Sequence, residues 1–458
     1  MNNSGDQEKL RRLATGGLAR LLWDYSLPAV VGMLVMSLYN VVDRIFIGQG
    51  VGTEAIAGLA ITFPVMNLSA AIGVLIGAGA AARVSILLGA GDHRGAEQVL
   101  GNSLVITILN AVVYLSVFAI FIDDILRAFG ASDASLPYAR DLVLYILPGM
   151  LVMNVMFNLN NVMRSSGYPT RAMLTMFIGA GLNVVLDPIF IFVFGWGIKG
   201  AAIATDISMT CSLLFVLAHF ARRGTTLRFT HGIYRLRWRV IVGIIAIGAA
   251  PALVNLAGSA INVIVNNALY RYGSDNAVAA AGIFTTFTSL LCMVVVGICQ
   301  GMQPIVGYNY GAGHIHRLKR VYWLAVSWAT CITAAGFVVG MFGSRLIARA
   351  FTTDAQLIEV VHNAFTNAML AFAVVGFQII STTFFQSIGK AGRSIFLSLT
   401  RQALFLIPLL LLLPNIWGLE GVWRAFPISD ALATVVTAIL IFRQLSCMPD
   451  ESLEPGVQ

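Results

Sequence analysis

Runs of about 20 apolar residues recur along the whole chain, each long enough to cross a ~30 Å hydrocarbon core. They lie roughly at 23–48, 55–79, 98–122, 137–161, 172–194, 199–220, 240–269, 276–299, 318–342, 356–380, 394–414 and 420–445, twelve spans in 458 residues. A backbone in hydrocarbon must satisfy its own hydrogen bonds, so segments of this length fold as helices. The chain is 58% hydrophobic and 11% charged, against about 45–50% and about 25% for soluble globular chains. The expected fold is an all-α polytopic membrane protein.

The net charge of +8 does not point to nucleic acid. Most of the 29 lysines and arginines fall in alternate loops on the side of the N-terminus, and no basic face is interleaved with stacking aromatics. That distribution is the positive-inside pattern and puts both termini in the cytoplasm. The polar, basic start of the chain lacks the short apolar region and cleavage site of a signal peptide. Five cysteines are scattered singly, which fits small buried hydrophobes rather than disulfides or a zinc site.

The longest connection, 221–239, reads ARRGTTLRFTHGIYRLRWR and divides the chain into two six-span halves, 1–225 and 226–458. At an offset of 222, "RSSGYPTR" at 164–171 falls on "QSIGKAGR" at 386–393, and "GAG" at 89–91 on "GAG" at 311–313. Pro28 answers to Pro251 at 223. Several matches at one spacing make an internal repeat. With six spans each, the halves run in the same sense across the membrane, an arrangement common in transporters.

A carboxylate at mid-helix costs about 2.5–3.5 kcal/mol on insertion scales. Asp43 in span 1, Asp187 in span 5 and Asp206 in span 6 take that cost, and the remaining acids are read as lying in loops or near span ends. Counted along each helix, all three lie at similar depth in the outer leaflet of the N-terminal half. Asp206 is equally explained by local capping or pairing. Asn183 and Asp187 share a helix face at i,i+4, as do Tyr39 and Asp43, and Thr205 adds a hydroxyl at matching depth. Carboxylate, amide and hydroxyl oxygens converging in apolar surroundings can hold a proton or a hard cation such as Na⁺. In the repeat, Asp43, Asn183 and Asp187 become Val265, Phe405 and Leu409. A purely structural role would be shared by both halves.

Pro28 and Pro188 each remove a backbone hydrogen bond and invite a bend. Asn255, Ser259, Asn262 and Asn266 form a polar stripe on span 7 that should avoid lipid. Methionines gather in the N-terminal half, including Met36, Met176 and Met209. They are core filler or, on a cavity wall, a soft surface for varied ligands. No phosphate-binding loop, HExxH or nucleophile elbow occurs. An ATP-driven pump, an enzyme and a bound cofactor are therefore not expected.

"YNVVDRIFIG" in span 1, "NVVLDPIFIF" and "GIKGAAIAT" across spans 5 and 6, and "GMQPIVGYNYGAG" after span 8 resemble the multidrug and toxic compound extrusion (MATE) family, in its DinF- and MepA-like branch. The resemblance implies a bacterial inner-membrane antiporter, a monomer with two six-helix lobes, exporting amphipathic or cationic compounds in exchange for H⁺ or Na⁺. It implies a cation site at Asp43, Asn183, Asp187 and Thr205, with Tyr39 and Asn160 as neighbours and Pro28 as the bending point. Met36, Met176, Met209 and Asn262 are the candidates for the substrate cavity. The rival reading is a flippase for lipids or lipid-linked oligosaccharides, which should need a more cationic cavity. A passive channel would leave the embedded acids without a role.

Overall fold

In a computed structural model the protein is a set of long membrane helices, with no strand among the described residues. The structure describes residues 4–448 apart from 52, 129–132, 134 and 223. In chain order the spans are α1 (Leu18–Val51), α2 (Thr53–Gly89), α3 (His93–Ile120), α4 (Leu136–Ser165), α5 (Pro169–Pro188) and α6 (Gly197–Ala221). The second set is α7 (Trp238–Tyr272), α8 (Asp275–Gly311), α9 (Ile315–Phe351), α10 (Ala355–Ala368 bent onto Val375–Ser387), α11 (Ala391–Leu399, resumed at Ile407–Trp417) and α12 (Leu419–Ser446). Eleven described helices are long and apolar enough to cross a membrane, and counting the bent α10 pair as one span gives twelve. A further helix, Ser4–Thr15, precedes α1.

Span 10, read from sequence as continuous, turns by 56° around residues 369–371. No proline or glycine marks the break. Thr333 Oγ1 on α9 donates to the Ala373 carbonyl oxygen at 2.7 Å. This gives the freed backbone group a partner outside its own helix. Two other spans contain a π turn. One, Ile189–Val193, follows Pro188 at the end of α5, and the other, Thr400–Leu406, interrupts α11. Pro188 has no N–H to give, so the hydrogen-bond ladder slips beyond it: Phe194 N–H reaches Ile189 O at 3.0 Å.

The chain forms two compact units. One comprises Met1–Thr15 and Val31–Gly248, the other Gly16–Val30 and Ala249–Gln458. Two helices therefore change unit along their length, α1 just after Pro28 and α7 just before Pro251. Close packing at small residues fixes each first segment. In the second unit a methyl added at Gly301 of α8 would come within 2.6 Å of Ser26 Cα, and one at Gly297 within 2.8 Å of Val30 Cα. In the first unit Gly79 of α2 and Gly248 of α7 abut the carbonyls of Ile244 and Leu75. Small residues let helix backbones approach this closely without a hydrophobic driving force. At the repeat offset, Gly301 corresponds to Gly79 and Ser26 to Gly248, so the two crossings are copies of one arrangement.

Candidate functional site

The polar residues of α1, α5 and α6 meet inside the first unit. Asn183 and Asp187, one helical turn apart on α5, are both 0% exposed. With the Asn183 amide oriented to satisfy both of its ends, Nδ2 donates to Asp187 Oδ2 at 2.6 Å and Oδ1 accepts the Thr205 backbone N–H at 3.3 Å. Thr205 Oγ1 donates to Ala201 O at 3.0 Å. Tyr39 of α1, one turn before Asp43, is buried beside Thr205. From α1, the Asp43 carboxyl comes beside that of Asp187. Ionised carboxylates are acceptors only, so the two can bond to each other only when a proton lies between them.

The local sequence explains the arrangement. Spacing of i,i+4 puts Tyr39 over Asp43 and Asn183 over Asp187. Pro188 ends the α-helical ladder directly after Asp187, and the following π turn carries Phe190 and Phe192, with Phe194 just after it. Phe190 and Phe194 stack at 5.6 Å, and Phe192 meets Phe46 of α1 edge-on at 6.2 Å. An apolar aromatic wall thus adjoins the carboxyl pair on its C-terminal side.

Other sequence candidates lie elsewhere. Asp206 turns away from the cluster and lies against Gly149 of α4. Asn160 is not brought to the acids. Its Nδ2 donates to Ala172 O at 2.8 Å and its Oδ1 accepts from Arg164 at 3.1 Å. At about 1.5 Å per residue, Ala172 is about 22 Å from Asp187 along α5. Met176 is packed against Gly32 of α1, and Met209 reaches Gly179 of α5. Both are buried, whereas Met36 is half-buried. Pro28 stands within an unbroken α1. Asn262 belongs to the second unit, where Asn255, Ser259, Asn262 and Asn266 are all exposed along α7.

One pair was missed by the sequence reading, which left the C-terminal half without an embedded acid. Asp430 sits near the middle of α12 and is 6% exposed. Arg401, in the π turn of α11, donates from Nε to Asp430 Oδ1 at 2.7 Å. Ser429 Oγ donates to the Arg401 carbonyl oxygen at 2.7 Å, and Gln378 Nε2 of α10 donates to the carbonyl oxygen of Asp430. The signal was present in the sequence as one arginine and one aspartate inside apolar runs at 394–414 and 420–445.

Residues 28–189 and 251–412 each match the MatE family, once per repeat. The FAD transporter of Shewanella oneidensis is 28% identical over 447 residues, covering 95% of this chain and 97% of that protein. The multidrug export protein MepA of Staphylococcus aureus is 26% identical over 440 residues, covering 95% and 96%. Among solved structures, a MATE in the bent conformation superposes with a TM-score of 0.90 at 26% identity, covering 98% of this chain and 99% of that one. A transporter of the MOP superfamily from Pyrococcus furiosus, described as having a reversed polarity of its binding pocket, gives 0.88 at 27% identity, with 95% and 98% covered. The match recurs in both halves and, with the solved structures, spans nearly the whole chain: this multi-pass membrane protein belongs to the MatE family of transporters and is not an enzyme.

Proposed function

We propose that the chain is a secondary active multidrug efflux antiporter. It exports amphipathic, often cationic compounds in exchange for H⁺ or Na⁺ across a bacterial inner membrane, as a monomer with both termini in the cytoplasm. The observation that carries the reading is the juxtaposition of the Asp43 and Asp187 carboxyls, with Asn183, Thr205 and Tyr39 around them. Both ionised, the acids repel across a low-dielectric gap; one proton turns repulsion into a bond. Na⁺ would be held by the same carboxylate, amide and hydroxyl oxygens. Either occupant pulls α1 toward α5, and Pro28 gives α1 a point at which to bend. The family's multidrug export protein supports the substrate class. A membrane potential supplies about 2.3 kcal/mol per charge per 100 mV, enough for a roughly tenfold to hundredfold gradient.

Dye uptake into inverted vesicles, under an imposed proton or sodium gradient, tests this reading. Uptake that follows one of the gradients supports antiport, and uptake that ignores both rules it out. A second substrate class, an anionic flavin dinucleotide, is favoured by the FAD transporter relative. Radiolabelled FAD in the same vesicles separates the two.

A further inference from the structure

The connection between α6 and α7 is not a loose tether. Residues 222–239 hold six arginines and no acid. The segment is fastened to α3 by Asn102, which is 0% exposed. Asn102 Nδ2 donates to Ile233 O at 3.0 Å and Arg235 O at 3.1 Å, while Oδ1 accepts Arg237 N–H at 2.8 Å. Thr230 adds a bond to Glu97 at 2.9 Å, and Arg237 adds one to Gln98 at 2.8 Å. A buried amide with both ends occupied fixes the backbone, and so fixes which side chains face outward.

Those outward side chains alternate. Tyr234, Leu236 and Trp238 are 46%, 48% and 76% exposed, and Arg235, Arg237 and Arg239 between and after them are exposed too. Trp238 continues along one face of α7 into Val242 and Ile245, both exposed and apolar. That face lies in the bilayer, so the row at its head lies at headgroup level, where Trp and Tyr concentrate. Arg239 is followed one turn later by Gly243, against which the guanidinium of Arg83 from α2 packs. Among the described residues Arg83 makes no ion pair.

We propose that this strap is a docking site for anionic phospholipid headgroups, in the leaflet where α6 leaves the membrane and α7 enters it. Arg235, Arg239 and Arg83 take the phosphate, for which the guanidinium fork is suited. Tyr234, Leu236 and Trp238 cover the glycerol and upper acyl region. A soluble polyanion would leave the apolar row in water, and a neutral lipid would leave the arginines without counter-charge.

The test uses the full-length protein in vesicles of brominated phosphatidylglycerol or brominated phosphatidylcholine. Tryptophan quenching in the wild type minus that in W238F isolates Trp238. Phosphatidylglycerol should quench Trp238 at about tenfold lower mole fraction than phosphatidylcholine, the preference expected for a few arginines at a charged surface. The preference should vanish in R235Q/R239Q, weaken in R83Q and persist in R345Q, whose arginine is paired with Glu359 on the second unit. Equal quenching by the two lipids in the wild type, a preference unchanged in R235Q/R239Q, or no quenching of Trp238 by either would each overturn the proposal.

Discussion

Spans 5 and 11 are repeats of one another, both carry a π turn, and both contribute to a buried carboxyl site, yet the two sites are chemically opposite. In the first unit, Asp187 has an amide and a second carboxyl as partners. In the second, Asp430 has a guanidinium at 2.7 Å. A carboxyl held by neutral groups and another acid can gain or lose a proton with its surroundings intact. A carboxylate held by arginine in a low-dielectric interior loses its counter-charge if it is protonated. The π turns are not at equivalent positions either, since Thr400–Leu406 falls nearly three helical turns before 411–415, the place that corresponds to Ile189–Val193. The scaffold was copied and the charge was not. On the antiport reading, one half keeps an exchangeable proton while the other keeps a fixed, neutralised pair.

The largest effect should come from removing the exchangeable group. Asp187→Asn and Asp43→Asn should each abolish gradient-driven dye efflux while the protein still inserts at wild-type levels. Each substitution keeps the shape and a hydrogen-bonding amide but removes the titratable oxygen. Vesicle assays at matched expression measure this directly. Normal efflux in either variant would remove the distinction between the two sites.

The compensated pair should behave the other way. Asp430→Leu strands Arg401 without its partner, and breaking a buried pair costs about 3–5 kcal/mol. Thermal unfolding in detergent should therefore show a large loss for Asp430→Leu and for Arg401→Leu. The double variant Arg401→Met/Asp430→Leu should recover most of it, with proton-coupled efflux retained. If the double variant is stable but uncoupled, the second unit carries a coupling site of its own, and the comparison reverses.

Much of this was legible in the chain because bilayer physics makes isolated polar residues conspicuous. Asp43, Asn183, Asp187 and Thr205 stand out in apolar runs, and helical arithmetic placed Asp43, Asp187 and Thr205 at one depth, together with Asp206, which turns away from them. Asp430 is as isolated in its apolar run, but it belongs to the half in which the repeat replaces Asp43, Asn183 and Asp187 with Val265, Phe405 and Leu409. Its partner lies 29 residues away in another span, and no local spacing joins them. The break in α10 was illegible for a related reason. The carbonyl of Ala373 finds its partner in Thr333 on a neighbouring helix, while the bent segment itself reads as uninterrupted helix. Asn160, set beside the acids only by the family resemblance, instead bonds the Ala172 carbonyl at the start of α5, the opposite end of that helix from Asp187.

A smaller effect should follow from stiffening α1. Pro28 leaves one carbonyl of α1 without its usual donor, and the helix changes unit just beyond it. Pro28→Ala restores the donor and should slow transport several-fold, with substrate affinity changed by no more than a few-fold. Pro251→Ala is the matched control on α7, which carries no acid at the position of Asp43. The distance between spin labels on α1 and α5 should shift with pH in the wild type and not in Asp43→Asn. A distance that ignores pH in the wild type would sink the bending step and leave antiport open.

The smallest effect concerns the polar stripe of α7. Asn255, Ser259, Asn262 and Asn266 are exposed on a membrane-crossing helix, and lipid is a poor environment for four such side chains. On the antiport reading the stripe faces water or substrate. None of its members titrates, so it can contact a compound but cannot carry a proton. Asn262→Ala removes one amide and should change the half-saturating concentration of some substrates by a few-fold. The ratio of protons to substrate, measured by pH-sensitive dye and substrate flux in one vesicle preparation, should stay fixed. A changed ratio with unaltered substrate affinity would move coupling into the second unit and end the division between an exchanging half and a neutralised one.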